Sequence, residues 1–89
     1  MDKKYYTYIL LTESNTFYCG YTDDVNKRFK KHQDGTAAKY TRAHKPIEIV
    51  YIEEFATKQE AMKEEHRIKK LKRQDKELLT IQYKNKKTD

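Results

Sequence analysis

The chain of 89 residues has no tryptophan, one proline, two glycines and a single cysteine, Cys19. One cysteine cannot form an internal disulfide. No apolar run approaches the roughly 20 residues that cross a bilayer, so a membrane partner is not expected. No leader-like segment opens the chain, which makes the cytoplasm the expected compartment. Repeats and linkers are also missing, and the length suits one module rather than two folded units. Apolar residues are themselves scarce, 36% against 38% charged, a thin allowance for a core. Eight tyrosines and three phenylalanines fill the gap, because each ring buries a large apolar area from one position. Disorder throughout is therefore disfavoured.

Twenty Lys and Arg against fourteen Asp and Glu leave a formal charge of +6, which favours a polyanionic partner where the charge is clustered. It is clustered: Arg67, Lys69, Lys70, Lys72, Arg73 and Lys76 follow His66, with Asp75 the only acid among them. A solvated helix face has the same composition.

Residues Tyr5 to Thr12 are rich in aromatic and β-branched types and predict a strand; Glu13 to Thr16 supplies turn chemistry, and Phe17 to Thr22 predicts the second arm of a hairpin. Alternation puts Tyr6, Tyr8 and Leu10 on one face of the first strand and Tyr18, Gly20 and Thr22 on one face of the second. Gly20 marks a place where backbone or ligand approaches closely. Thr22-Asp23-Asp24 offers N-caps for a helix running to about Asp34, with Gly35 as its stop. Val25 and Phe29 are its apolar pair, and His32 and Arg28 lean toward the same stripe. A short helical turn is expected within Ala37 to Ala43, ended by Pro46. Ile47 to Phe55 predicts a third strand. Thr57-Lys58-Gln59-Glu60 matches a capping box, so a helix from Lys58 to about Lys72 follows, with Ala61, Ile68 and Leu71 inward. Asp75 can cap a last helix holding Leu78 and Leu79. The order β-β-α-β-α-α gives an α+β fold, a small three-stranded antiparallel sheet flanked by helices. One domain is expected over residues 1–83, and a basic, frayed tail over 84–89.

Each residue capable of chemistry has a plain structural explanation. Tyrosines in small sheets are ordinarily packing residues with wet hydroxyls. An arginine beside a stripe can simply cover it with its stem, and a histidine at a core edge is ordinarily structural. Gathered around one concavity, a phenol, a guanidinium, an imidazole and a carboxylate suit phosphodiester hydrolysis, because Arg grips phosphate with a bidentate fork.

The ordered series Tyr6-Thr7-Tyr8, Tyr18-Cys19-Gly20, Arg28 and His32 resembles the GIY-YIG nuclease domain. The segments Asn15 to Asp24, Lys39-Tyr40-Thr41-Arg42 and Ala61 to Lys69 are similar to the short stand-alone bacterial members, the UPF0213-type group. The first motif lacks its Gly and Ile, and Cys19 stands within the second. The resemblance implies that Tyr8 activates the attacking water, that Tyr18 partners phosphate or nucleophile, that Arg28 stabilises charge on phosphorus, and that His32 relays a proton or positions phosphate. Periodicity does not choose between Glu64 and Glu65, which flank the stripe on opposite sides. The family pattern, with Ala61 four residues before and Ile68-Lys69 three after, selects Glu65 as the metal carboxylate. One carboxylate completed by water and phosphate oxygens implies Mg²⁺ or Mn²⁺.

These readings lead to a metal-dependent endonuclease of low sequence specificity. DNA is the expected partner and RNA the alternative, with Lys39, Tyr40, Arg67, Lys69, Lys70, Lys72 and Arg73 contacting nucleic acid. No small-molecule cofactor is expected. The competing reading is a nucleic-acid-binding module that does not turn over, or that depends on a partner protein for targeting. A third treats the chain as a structural adaptor with a solvated basic face.

Overall fold

A computed structural model describes residues 3–87; residues 1–2 of the expected domain and 88–89 of the expected tail lie outside the described residues. Strands β1 (Tyr5–Thr12) and β2 (Phe17–Thr22) form the hairpin, and β3 (Pro46–Phe55) pairs with the other edge of β1. Both pairings are antiparallel, in the spatial order β2-β1-β3. At the hairpin turn Asn15 takes a positive φ of 59°, which asparagine tolerates better than most residues. The β1–β3 register shifts between Ile9 and Leu10, leaving Val50 as the extra residue of a bulge.

Helix α1 (Val25–Gln33) starts at Asp24, whose side chain accepts from the Lys27 N–H, and stops before Gly35 at φ +80°. The short α2 covers Lys39–Ala43. Helix α3 (Lys58–Lys69) begins at the expected N-cap: Thr57 Oγ1 accepts from the Glu60 N–H at 3.2 Å, while the Glu60 carboxylate accepts from the Thr57 hydroxyl at 2.9 Å rather than from its backbone N–H as a full capping box would. It ends three residues earlier than expected, and α4 (Arg73–Lys87) starts ahead of Asp75. Arg73, its first residue, ties that start to the hairpin: its guanidinium donates to the Asn15 carbonyl at 2.6 Å and lies 4.8 Å over the Phe17 ring. Residues 84–87, expected within the tail, continue α4.

The sheet is covered on both sides. Thr7 Oγ1 donates to the Ala61 carbonyl at 2.7 Å, while the neighbouring Tyr8 reaches α1; alternation therefore puts α3 and α4 on one face, α1 and α2 on the other. The α3/α4 face holds the dry core of Ile9, Cys19, Tyr51 and Ile68. Cys19 behaves as a small packing residue there, and burial pushes its thiol up to about 12. On the opposite face the expected apolar pair Val25 and Phe29 is only half-buried, and His32 is the buried residue of α1. No helix among the described residues is long and apolar enough to cross a membrane.

Candidate active site

Register explains why the second motif needs its glycine. Tyr8 lies directly opposite Gly20, and the Tyr8 ring crosses the space above it: a Cβ on Gly20 would stand 2.6 Å from the Tyr8 hydroxyl oxygen and 2.8 Å from Cζ. Only glycine lets the phenol fold across the neighbouring strand. In that position the Tyr8 hydroxyl lies 2.8 Å from His32 Nε2.

A chain of hydrogen bonds orients the imidazole. The Thr41 hydroxyl donates to the Ala38 carbonyl at 3.3 Å, and His32 Nδ1 lies 2.7 Å from Thr41 Oγ1. With the threonine proton directed to Ala38, Nδ1 is the donor to Thr41, leaving Nε2 to accept the Tyr8 proton. His32, Thr41 and Tyr8 are all at most 2% exposed. Burial, with the nearby positive charge of Arg28, depresses the His32 pKa to about 4, so the imidazole is neutral around pH 7. Burial raises the Tyr8 hydroxyl far above its ordinary value, Tyr18 adds to this, and Arg28 opposes it. The phenol is accordingly no standing phenolate; its hydrogen-bond acceptor is His32. Tyr18 packs edge-on against the same imidazole, with ring centroids 5.0 Å apart, and its hydroxyl is also raised by burial.

Tyr8, Tyr18, Arg28 and Glu65 line one open cavity of about 510 Å³ at the free edge of β2, within the roughly 300–1,000 Å³ common for ligand clefts. Arg28 comes from α1 and Glu65 from α3, so the cavity collects groups from both faces around the sheet edge. His32 does not line it; the imidazole sits behind the tyrosines. Glu64 lies elsewhere, its carboxylate taken by Arg67 in a fork of 2.8 and 2.6 Å, an ion pair that holds it below the usual carboxylate range. Tertiary placement thus distinguishes the two glutamates that periodicity leaves equivalent. Lys3 and Lys58 also line the cavity, although neither stands out in the sequence. Lys3 pairs with Asp23 at 2.7 Å. Lys58 sits at the first position of α3, visible only as part of a capping box.

The residues expected to contact nucleic acid do not act alike. Arg67 is directed to Glu64, and Arg73 to the hairpin turn. Lys69 stands 3.5 Å from Glu65, next to the cavity. Lys39, Lys70 and Lys72 are exposed. Tyr40 is 39% exposed but stacks between Tyr18 and His44.

Among the described residues no group of three or more His, Cys, Asp or Glu could cage a metal ion. Glu65 instead offers a single half-buried carboxylate to an open polar cavity, the donor pattern of a Mg²⁺ site completed by water and phosphate oxygens.

A tyrosine folded over a glycine on the paired strand, with arginine and glutamate reaching the same edge from opposite faces, defines a GIY-YIG catalytic domain. The family model of that description matches residues 4–78, and the chain belongs to this family. Its relatives are UPF0213 proteins. It is 43% identical over 83 residues to the UPF0213 protein YazA of Bacillus subtilis (strain 168), covering 93% of this chain and 84% of that one. A UPF0213 protein of Bacillus velezensis is 48% identical over 73 residues, covering 82% and 74%. The NMR solution structure of a UPF0213 protein from Bacillus halodurans shares 45% identity at a TM-score of 0.55, covering 85% of this chain and 81% of that chain. Family membership implies the nuclease class.

Proposed function

We propose that this chain is a metal-dependent endonuclease that hydrolyses phosphodiester bonds in DNA with little sequence preference. The observation carrying this reading is the joint lining of one solvent-open cavity by Tyr8, Tyr18, Arg28 and Glu65. A scissile phosphate enters beside Arg28, whose guanidinium counters the charge that builds on the non-bridging oxygens. Water attacks phosphorus as its proton passes to the Tyr8 oxygen and the Tyr8 proton passes to His32 Nε2; the bond to the leaving sugar oxygen breaks, and that oxygen takes a proton from solvent. The relay answers the unfavourable phenol pKa, since no phenolate has to exist before attack. Glu65 would hold Mg²⁺ or Mn²⁺, whose chemistry when bound is charge neutralisation at the phosphate. Lys58 and Lys69 flank the cavity and help hold the nucleic-acid backbone, giving binding that is weakened by salt and indifferent to sequence. The site is expected to work in the cytoplasm.

Supercoiled plasmid incubated with Mg²⁺ or Mn²⁺ tests the reading. Arg28→Ala and Glu65→Ala are each expected to lower nicking by at least about 10²-fold, the scale of removing one charge-stabilising group. Undiminished nicking in both variants would assign the activity to a contaminant. The position of Lys69 against Glu65 favours a second reading, a binding module without turnover; it predicts salt-sensitive DNA affinity with no cleavage under either metal.

A further inference from the structure

A second cavity opens beside the first. It measures about 220 Å³ and is lined by Phe17, Tyr18, Cys19, Tyr40, Lys69 and Lys76, below the roughly 300 Å³ at which pockets enclose a whole drug-sized molecule. Tyr18 lines both cavities, and both lie along the unpaired edge of β2. The larger one adjoins Gly20, the smaller one Phe17 and Tyr18. At about 3.4 Å per residue, Gly20 lies about 7 Å along the strand from Tyr18 and about 10 Å from Phe17, the scale of one nucleotide step.

The wall formed by Tyr40 is exposed yet fixed. Its ring is 6.1 Å from Tyr18 at 19° and 4.5 Å from His44 at 27°, and its hydroxyl donates to Thr16 Oγ1 at 2.6 Å. An exposed aromatic already held in place loses little freedom when a ligand packs against it. Around the apolar notch, Lys69 and Lys76 supply positive charge. A mainly aromatic lining with cationic flanks, beside the cavity read as the phosphate site, matches the chemistry of a nucleotide.

We propose that this notch is a subsite for one unstacked nucleobase, neighbouring the phosphate held at Tyr8 and Arg28, with Lys76 and Lys69 contacting the adjoining phosphates. The inference rests on the phosphodiesterase reading for the position of that phosphate. In an intact duplex the bases are stacked and paired, so the base comes from a single strand or is swung out of a helix.

Binding in EDTA, where metal-dependent turnover is suppressed, tests the subsite apart from catalysis. The probes are an oligothymidylate, an equally long abasic strand, a fully paired duplex, and the same duplex with one bulged thymidine. The full chain is expected to bind the thymidine strand at least about fivefold more tightly than the abasic strand, the scale of one base packed on an aromatic. Tyr40→Ala is expected to bring that ratio close to one. Tyr40→Phe, which loses the Thr16 bond but keeps the ring, is expected to preserve it. Lys76→Gln is expected to reduce the logarithmic salt slope by about 0.7, one phosphate contact on a single strand; an unchanged slope removes Lys76 from the subsite. Preference for the bulged duplex over the paired one identifies a swung-out base, whereas preference confined to the single strand identifies that source. Equal affinity of the unaltered chain for thymidine and abasic strands overturns the proposal, as does a ratio that Tyr40→Ala leaves intact. Base preference without metal-dependent cleavage would defeat the phosphodiesterase reading and retain a base-binding notch, while cleavage without base preference would do the reverse.

Discussion

The two faces of the sheet are built from different materials. Toward α3 and α4, β1 contributes Ile9 to a cluster with Cys19, Tyr51 and Ile68. Toward α1 and α2 it contributes Tyr8 to a line of hydrogen-bonded polar groups, Tyr8, His32 and Thr41. Both faces are buried, but for opposite reasons. The first gains from excluding water around apolar surface. The second incurs desolvation that hydrogen bonds must offset, and among the described residues no buried side-chain nitrogen or oxygen is left without a partner. A chain with so few apolar residues places most of its hydrophobic core on one side and holds an oriented line of hydrogen-bonded polar groups on the other.

Tyr8→Phe separates the faces most sharply. The ring can still cross Gly20, but His32 Nε2 loses its donor. Nicking is expected to fall by about 10²–10⁴-fold, the range for a general acid or base, for a stability loss of only about 1–3 kcal/mol from the unpaired imidazole nitrogen. Plasmid assay and urea unfolding measure the two; a variant retaining full activity would remove Tyr8 from the reaction.

Ile68→Ala attacks the other face. Ile68 is fully buried, and truncation is expected to cost about 2–5 kcal/mol, read as a lower urea midpoint. Turnover per folded molecule should change far less than in Tyr8→Phe. A loss below about 1 kcal/mol would mean that the dry face is not the principal source of stability.

The smallest of the three effects is pH dependence. His32 has a folded-state pKa of about 4, against an ordinary value near 6.5, so between these values the unfolded chain binds the extra proton. Stability from this group is fully present above about pH 6.5 and is lost as pH falls toward 4, by about 2–3 kcal/mol. His32→Gln should flatten that part of the profile in urea melts at stepped pH. An identical slope in both proteins would show that the buried polar line is not what acid disrupts.

Local chemistry made much of this architecture readable. The hairpin is bounded by a turn sequence, α1 by Asp24 and Gly35, and α3 by its Thr57 N-cap. Each signal acts over four or five residues and therefore survives in the linear order. The family motif similarly made Tyr8, Tyr18, Arg28 and Glu65 candidates, and the structure brings them to one cavity. Charge was less informative. The run from Arg67 to Lys76 reads as one basic surface, yet Arg67 and Arg73 turn to Glu64 and Asn15. Arg67 pairs with Glu64 one turn back on its own helix, outside the basic run, and Arg73 reaches the distant hairpin turn, a placement that a run of like charges does not contain.

From the order of residues alone came the β1–β2 hairpin, the starts of α1 and α3, and the alternation that groups Tyr18 with Gly20, because side-chain alternation and capping are properties of a few consecutive peptide units; the pairing of β3 with β1 and the start of α4 at Arg73 came from packing. Tertiary packing decided that Glu65 rather than Glu64 reaches the cavity, that His32 is neutral behind it, and that Lys3 and Lys58 stand at its wall. Those outcomes depend on how α1 and α3 cross a strand edge, and on how much water the crossing excludes. Both are set by contacts between distant parts of the chain.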